Sequence, residues 1–303
     1  MKKILLIFAM LLGLMLIVLI FIRRNREKPY AIMPEGDDFR VCFIDVGQGD
    51  STLIWDNGSA MLIDAGPADS TGSLEAVLEQ NSIDTIDTLI LTHSDADHIG
   101  GAPDIILNYN VSNIYMSDYY KNTKAYDNLM QAISESETPV FHSKAGDNLT
   151  FGTAKYEVLG PVLKEGTVYN DANSYSIVLK VTHGNDTFLF TGDATGEETD
   201  DILRAGFDVS AQVLKAAHHG SANYGCNDAK FWLAVNPETI VISCGYKNDH
   251  GHPHKETMEM TKMMRYRLYR TDLQGTVSCN STGNGISWST TPCDNYLNGN
   301  AFN

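Results

Sequence analysis

The chain has 303 residues, 43% of them hydrophobic, and a formal net charge of −16, a composition that supports a folded core and excludes wholesale disorder. Residues 1–28 hold six of the 22 Lys and Arg and one of the 38 Asp and Glu, so the remainder carries 16 basic against 37 acidic side chains, a net −21. A body this acidic repels phosphate backbones and excludes a stable, high-affinity nucleic-acid-binding module; any phosphate-bearing substrate must be captured locally, by metal ions.

In chain order, the first feature is the uncharged apolar run Ile4 to Ile22, between Lys2 and Lys3 on one side and Arg23, Arg24, Arg26 and Lys28 on the other. It is long enough to span a bilayer as a helix. Arg23 follows Ile22 with no small-residue cleavage site, so residues 1–28 read as an uncleaved anchor with its basic flank. The C-terminal flank is slightly the more basic, which by the positive-inside rule favours a cytoplasmic domain. Residues 29–38, with Pro29 and Pro34, read as a linker, 39–289 as one catalytic domain, and 290–303 as a loose polar tail.

The domain opens with short β-type runs, Val41–Val46, Ser51–Trp55 and, past Asp56-Asn57-Gly58, Ala60–Asp64, the pattern of an antiparallel meander. A helical face at Leu74, Val77 and Leu78 precedes the apolar strand Thr88–Thr92, which ends in His93. Helices follow near Ala102–Asn108 and Ala125–Glu135, with strands near Ile114–Met116, Pro139–Phe141, Tyr156–Leu159, Ser176–Val181 and Thr187–Thr191 and a turn at His183-Gly184-Asn185-Asp186. Three further strand ends run into chemistry: Phe188–Thr191 into Gly192-Asp193, Gln212–Ala216 into His218-His219-Gly220-Ser221, and Thr239–Ser243 into a loop with His250, His252 and His254. Open α/β sheets present active sites at such ends.

His93, Asp95, Asp97 and His98 set four nitrogen and oxygen ligands within six residues, a set suited to zinc, manganese or iron. A helix cap accounts for one acidic residue there, not for two with flanking histidines. A lone Asp193 reads as a turn residue, but beside a metal cluster it becomes a bridging carboxylate. The pair His218-His219 is poor core material. His252-Pro253-His254 either begins the helix Lys255–Met264, with proline in its first turn, or contributes imidazoles to the site. His142 and His183 read as structural. The five cysteines show no CxxC pair; Cys279 and Cys293 could close a late loop in an exported domain, but scattered buried thiols are the favoured reading.

The motif His93-x-Asp95-x-Asp97-His98 followed by Ile99-Gly100-Gly101 resembles that of the metallo-β-lactamase-fold hydrolases. Phe43-Ile44-Asp45-Val46-Gly47-Gln48-Gly49-Asp50-Ser51, Leu62-Ile63-Asp64-Ala65-Gly66, Thr191-Gly192-Asp193, Lys215-Ala216-Ala217-His218-His219-Gly220-Ser221 and Gly251-His252-Pro253-His254 resemble the hydrolase domain of the ComEC/Rec2 competence proteins. The resemblance implies an α/β fold, an αββα sandwich, with a dinuclear site at one edge. In it His93, Asp95, Asp97 and His98 bind two divalent ions (Zn or Mn), Asp193 bridges them and His218 completes the ligand shell of the second ion. Asp95 stands where the superfamily usually has a histidine, and Asn173 where the third histidine usually lies; more oxygen ligands favour manganese.

The expected activity is phosphodiester hydrolysis, DNA included, by two-metal activation of water. Asp97 orients the nucleophile, His219 or His252 donates the proton, and Asn173, Ser221 and His254 contact substrate. Hydrolysis of an ester, amide or lactam, or anchored binding without catalysis, are the competing readings. The resemblance also implies an extracellular catalytic domain, against the charge of the flank.

Overall fold

The computed structural model describes residues 39–163, 168–169 and 171–302. The expected anchor and linker lie outside these residues, and among those described no helix is long and apolar enough to cross a membrane.

The meander is present as β1 (Phe39–Phe43), β2 (Thr52–Asp56) and β3 (Ser59–Ile63), paired antiparallel. Asn57 and Gly58, at φ 50° and 90°, make the two-residue connection between β2 and β3, the conformation that Asn-Gly supplies at low cost. Beyond α1 (Thr71–Gln80) and β4 (Thr85–Ile86), the strand β5 (Thr88–Leu91) lies parallel to β3. Short helices α2 (Ala96–Ile99) and α3 (Ala102–Asn108) and β6 (Asn110–Val111) lead to β7 (Ile114–Met116). Helix α4 (Lys124–Ser136) then connects to β8 (Val140–His142), parallel to β7.

The second sheet starts with β9 (Asn148–Leu149), β10 (Lys155–Gly160), β11 (Val178–His183) and β12 (Asp186–Phe190), all antiparallel. It turns parallel through α5 (Gly196–Ala205), β13 (Val213–Lys215), α6 (Ala229–Val235), β14 (Thr239–Ile242), α7 (Lys255–Met263) and β15 (Arg267–Arg270). After α8 (Thr271–Gln274), β16 (Val277–Ser281) and β17 (Ile286–Trp288) return to the first sheet beside β1.

The two sheets face each other across one core. Phe39, Phe43, Ile54 and Met61 of the first meet Tyr156, Val181, Phe188, Val241 and Tyr269 of the second. On the outer face of the second sheet, Ile202, Phe231, Trp232 and Met258 of its helices cover Val178, Leu189 and Ile240. A strand with both faces buried reads as a continuous apolar run, as Thr88–Leu91 and Thr239–Ile242 do.

Strands β16 and β17 escape a reading of hydrophobic pattern because Val277–Ser281 is mostly polar yet entirely buried. At its end Ser281 Oγ donates to Asp186 Oδ2 at 2.6 Å and lies 2.7 Å from His183 Nδ1. His183 stacks on Phe39, with centroids 4.6 Å apart, a structural histidine, and His142 is exposed. All five cysteines are free, four of them buried.

The C-terminal tail is docked rather than loose. Arg270, fully buried, pairs with Asp272 and donates through Nη1 to the carbonyls of Asn295 and Leu297 at 3.3 and 2.5 Å. Cys293 N donates to Leu268 O at 2.7 Å, and Gly299 N to Pro253 O at 3.0 Å. A polar composition hides this because the tail contributes mainly backbone acceptors. Ending the chain after residue 289 strips a buried guanidinium of two partners, each worth about 1–3 kcal/mol when left unmade. Urea denaturation of that truncation is expected to show a loss of at least about 2 kcal/mol; unchanged stability would mean the docking contributes nothing.

Candidate metal centre

Four loops leaving β5, β12, β13 and β14, with the β1–β2 connection, bring the polar residues to one edge of the sandwich. Asp193 sits at the centre, 98% buried. Its Oδ1 is 3.2 Å from His98 Nε2, and its Oδ2 is 3.6, 3.7 and 3.9 Å from the Nε2 atoms of His219, His218 and His93. Asp97 Oδ2 is 3.1 Å from His219 Nε2. Asp50, His98, Asp193 and His219 each aim one ligand atom at a common space, all within 4.8 Å of one another.

Two carboxylates absent from the sequence expectation hold these ligands. Asp64, in a left-handed conformation at φ 58°, accepts from the Thr92 amide and hydroxyl at 2.8 and 2.7 Å and lies 2.8 Å from His98 Nδ1. It thereby turns His98 Nε2 toward Asp193; such partners on the far nitrogen fix a ligating histidine's tautomer and orientation. Asp50 plays against His219 in the same way: Asp50 Oδ1 is 3.6 Å from His219 Nδ1, which also meets the Ser243 carbonyl at 3.1 Å, while Asp50 Oδ2 pairs with the buried ammonium of Lys215. His218 and His219 themselves sit at positive φ, 49° and 54°, strain of a kind that collects at functional sites. The signal for Asp64 in the sequence is an acidic residue set just beyond an apolar strand, and for Asp50 one set just before β2.

The electrostatics follow from this crowding. Burial opposes charge throughout, yet the Asp193 and Asp64 carboxylates hold His98 well above the usual imidazole range. Against the same burial, Asp193 and Asp50 raise His219 to about 10. Asp50, despite burial, is lowered to about 2 by Lys215 and His219. Asp97 and Asp193 also fall below the carboxylate range, against their burial, through the histidines beside them. Burial lowers His93 and His218, and burial with the surrounding imidazoles lowers His252 to about 3.

A metal fits this set on its own geometry. The buried atoms Asp50 Oδ1, His93 Nε2, His98 Nε2, Asp193 Oδ1 and Asn173 Oδ1 have no hydrogen-bond partner, and orphaned polar atoms of this kind carry a free-energy cost unless something fills the space between them. Asn173 belongs to a turn whose Ser176 hydroxyl accepts from the Asp193 amide at 3.0 Å.

The remaining expected site residues divide. Asp95 lies at the rim, 3.9 Å from His93 Nε2, with its carboxylate paired to Lys121. His252 faces the cluster, ring centroids 5.4 and 5.8 Å from His218 and His219, and its Nδ1 accepts from the Gln48 amide at 3.3 Å. Ser221 is fully buried with its hydroxyl accepting from Asn223 N at 3.1 Å, so it shapes the turn and does not face solvent. His254 accepts from Ala222 N and meets His250 O, at 3.0 and 3.2 Å, which occupies both ring nitrogens in holding the loop. Ser221 and His254, expected to contact substrate, thus each make hydrogen bonds within their own loops.

A cleft of about 510 Å³ opens over the cluster, lined by Gln48, Asp95, Asp97, Asp193, His218 and His250, with Lys124 and Asn128 of α4 on the opposite wall. A larger groove, about 730 Å³, runs between α7 and the tail and contains none of the clustered residues; the chemistry lies in the smaller one. Close backbone packing sustains this edge. A Cβ on Gly49 would stand 2.4 Å from the Asp97 carbonyl oxygen and 2.7 Å from Pro67. Gly49→Ala is expected to destabilise the domain by about 1–3 kcal/mol, the cost of overpacking, and to disturb α2; a thermal melt matching the parent would show that this contact gives way freely.

The sequence matches the metallo-beta-lactamase superfamily over residues 44–223. It is 29% identical over 255 residues to ComE operon protein 3 of Bacillus subtilis, covering 78% of this chain and 32% of that protein. It is 30% identical over 257 residues to Recombination protein 2 of Haemophilus influenzae, covering 80% and 29%. The chain thus spans about a third of the length of these relatives. Among solved structures, the metallo-beta-lactamase fold protein YhfI from Bacillus subtilis superposes with a TM-score of 0.53 at 14% identity, covering 83% of this chain and all of that one (100%). Igni18, a metallo hydrolase from Ignicoccus hospitalis, gives 0.52 at 13%, covering 79% and 98%. With the two facing sheets, the ligand loops at one edge and this match across more than half its length, the chain belongs to the metallo-beta-lactamase superfamily.

Proposed function

We propose that the domain hydrolyses phosphodiesters, DNA among them, at a pair of divalent cations. The observation that carries the reading is the convergence of orphaned ligand atoms around Asp193, beneath a cleft whose far wall supplies Lys124. Held there, two cations supply the Lewis acidity that makes water nucleophilic near neutral pH and neutralises charge developing on phosphoryl oxygens.

The chain's own groups do the rest. His93, Asp95, Asp97, His98, Asp193 and His218 would hold the cations, Asp193 lying nearest all four imidazoles. His219 joins them as a ligand rather than a proton donor, because its Nδ1 faces the Ser243 carbonyl and Asp50, leaving Nε2 for Asp97 and Asp193. His252 is neutral, and with Gln48 donating to Nδ1 its proton sits on Nε2, placed to hydrogen-bond a departing oxygen. Asn173 contributes its carbonyl oxygen to metal or substrate.

The alternative bond, an ester, amide or lactam, predicts a different substrate profile from the same ligands. Turnover of bis(p-nitrophenyl) phosphate beside a chromogenic cephalosporin separates the two: hydrolysis of the cephalosporin alone would overturn the phosphodiester reading. With residues 1–28 as a single membrane anchor, we assign the domain to the outer face. Protection of the domain from added protease in intact cells would reverse that assignment.

A further inference from the structure

The segment Tyr119–Asn128 is tied to the metal motif at several points. The Ser94 hydroxyl donates to the Tyr119 carbonyl at 2.9 Å, and Lys121 pairs with Asp95. The Tyr119 ring stacks on Tyr175, centroids 4.4 Å apart, next to the Asn173 turn. The Thr123 side chain caps α4 by accepting from Tyr126 N at 3.3 Å. The segment is therefore a fixed wall beside the metal motif, of which Lys124, Ala125 and Asn128 line the cleft itself.

What this wall presents is unlike the rest of an acidic domain. Lys124 is the one lysine among the residues lining the cleft, exposed and without an ion pair among the described residues. Lys121 keeps its side chain 32% exposed with Asp95 as its one charged partner among the described residues, and one partner engages one of its three N–H donors. Tyr120, between them and Tyr119, is 65% exposed although it is braced edge-on against Tyr126 at 5.3 Å. An open aromatic ring interleaved with lysines is how sequence-tolerant single-strand sites hold a nucleotide, base on ring and phosphate on ammonium.

We infer that Tyr120, Lys121 and Lys124 form a subsite for the nucleotide flanking the scissile phosphate of a single-stranded nucleic acid. The base stacks on Tyr120, and successive phosphates lie on Lys121 and Lys124, with Asn128 beside them. The inference rests on the phosphodiester reading of the site but not on cleavage. It accounts for how an acidic body captures an anionic polymer: a short local contact replaces a basic surface.

The test is binding of fluorescein-labelled phosphorothioate (dT)8 to the metal-loaded full-length protein by fluorescence anisotropy across a salt series. Two lysine–phosphate contacts on a single strand give a slope of log K against log salt of about −1.4. Lys124→Ala is expected to bring it to about −0.7, and Lys121→Ala with Lys124→Ala to near zero. Tyr120→Ala is expected to weaken binding about tenfold, and an abasic octamer to bind the parent as weakly as (dT)8 binds Tyr120→Ala. Metal content should stay unchanged in Tyr120→Ala and Lys124→Ala, which touch no ligand. No measurable binding by the parent, parental affinity and slope in these two variants, or equal affinity for the abasic octamer would each overturn the subsite. If binding follows the prediction while bis(p-nitrophenyl) phosphate is not turned over, the failure belongs to the proposed chemistry and not to the subsite.

Discussion

Asp193→Ala is expected to lower phosphodiester hydrolysis by at least about a thousandfold, the equivalent of about 4 kcal/mol of transition-state stabilisation, and to leave the purified protein with less than its full metal complement. The reason is geometric. One carboxylate faces four imidazoles within 3.9 Å, His98 at Oδ1 and His93, His218 and His219 at Oδ2, so its removal loosens the whole ligand set together. It also withdraws the charge that most raises His98 and His219 against their burial, so the fold should survive with these imidazoles shifted back toward neutrality. Elemental analysis by mass spectrometry alongside rate measurements checks both parts. Undiminished hydrolysis with full metal content would sink the two-metal proposal.

Lys215→Met is expected to be the most destabilising single change in the site. Lys215 and Asp50 are both buried, and the ammonium is the largest influence lowering Asp50 against the cost of burial. Removing one member of such a pair leaves an uncompensated buried charge, typically a loss of about 3–5 kcal/mol. The loss should be largely recovered in the double variant Lys215→Met with Asp50→Asn, where no charge remains to be paired. Because Asp50 also steadies His219, the double variant should still bind metal about 10- to 100-fold more weakly, the usual effect of losing a ligand's supporting partner. Chemical denaturation together with metal titration of the parent, Lys215→Met, Asp50→Asn and the double variant separates the two effects. Equal metal affinity in parent and double variant would show that Asp50 does not position His219.

Glu198 supplies a pH-dependent prediction away from the metal ligands. Burial, with Asp201 adding to it, raises its carboxyl well above the usual range, so the folded domain keeps it protonated where the unfolded chain ionises. Folded protein then binds the extra proton, and the linkage makes stability fall as pH rises from the unfolded carboxyl value toward the folded one. Glu198→Gln should remove that fall and exceed the parent in stability at pH 8; a parallel pH profile for the two proteins would refute the assignment.

Much of the architecture was legible because each strand end that carries chemistry follows an apolar run. His93 after Thr88–Leu91, Asp193 after Asp186–Phe190 and His218 after Val213–Lys215 stand where hydrophobic continuity stops, and parallel sheets put such ends on one edge. The closing strand Val277–Ser281 was hidden because three of its five buried residues are polar, Ser281 being held there by Asp186. The docked tail was hidden because Arg270 recognises its backbone, not its side chains.

Local spacing thus pointed to a nitrogen- and oxygen-rich candidate metal cluster and named His93, Asp97, His98 and Asp193 for it, of which His98 and Asp193 aim ligand atoms at the common space. Which side chains support it was decided only by packing. The Lys215–Asp50 pair joins residues 165 positions apart and His98–Asp64 joins residues 34 apart, distances at which no periodicity carries information. Ser221 and His254 look chemical in sequence, and only the fold shows that each also accepts a loop amide, Asn223 N for Ser221 and Ala222 N for His254. A residue's chemistry is written in its side chain, but its partners are set by the sheet pairing that brings distant loops to the same edge.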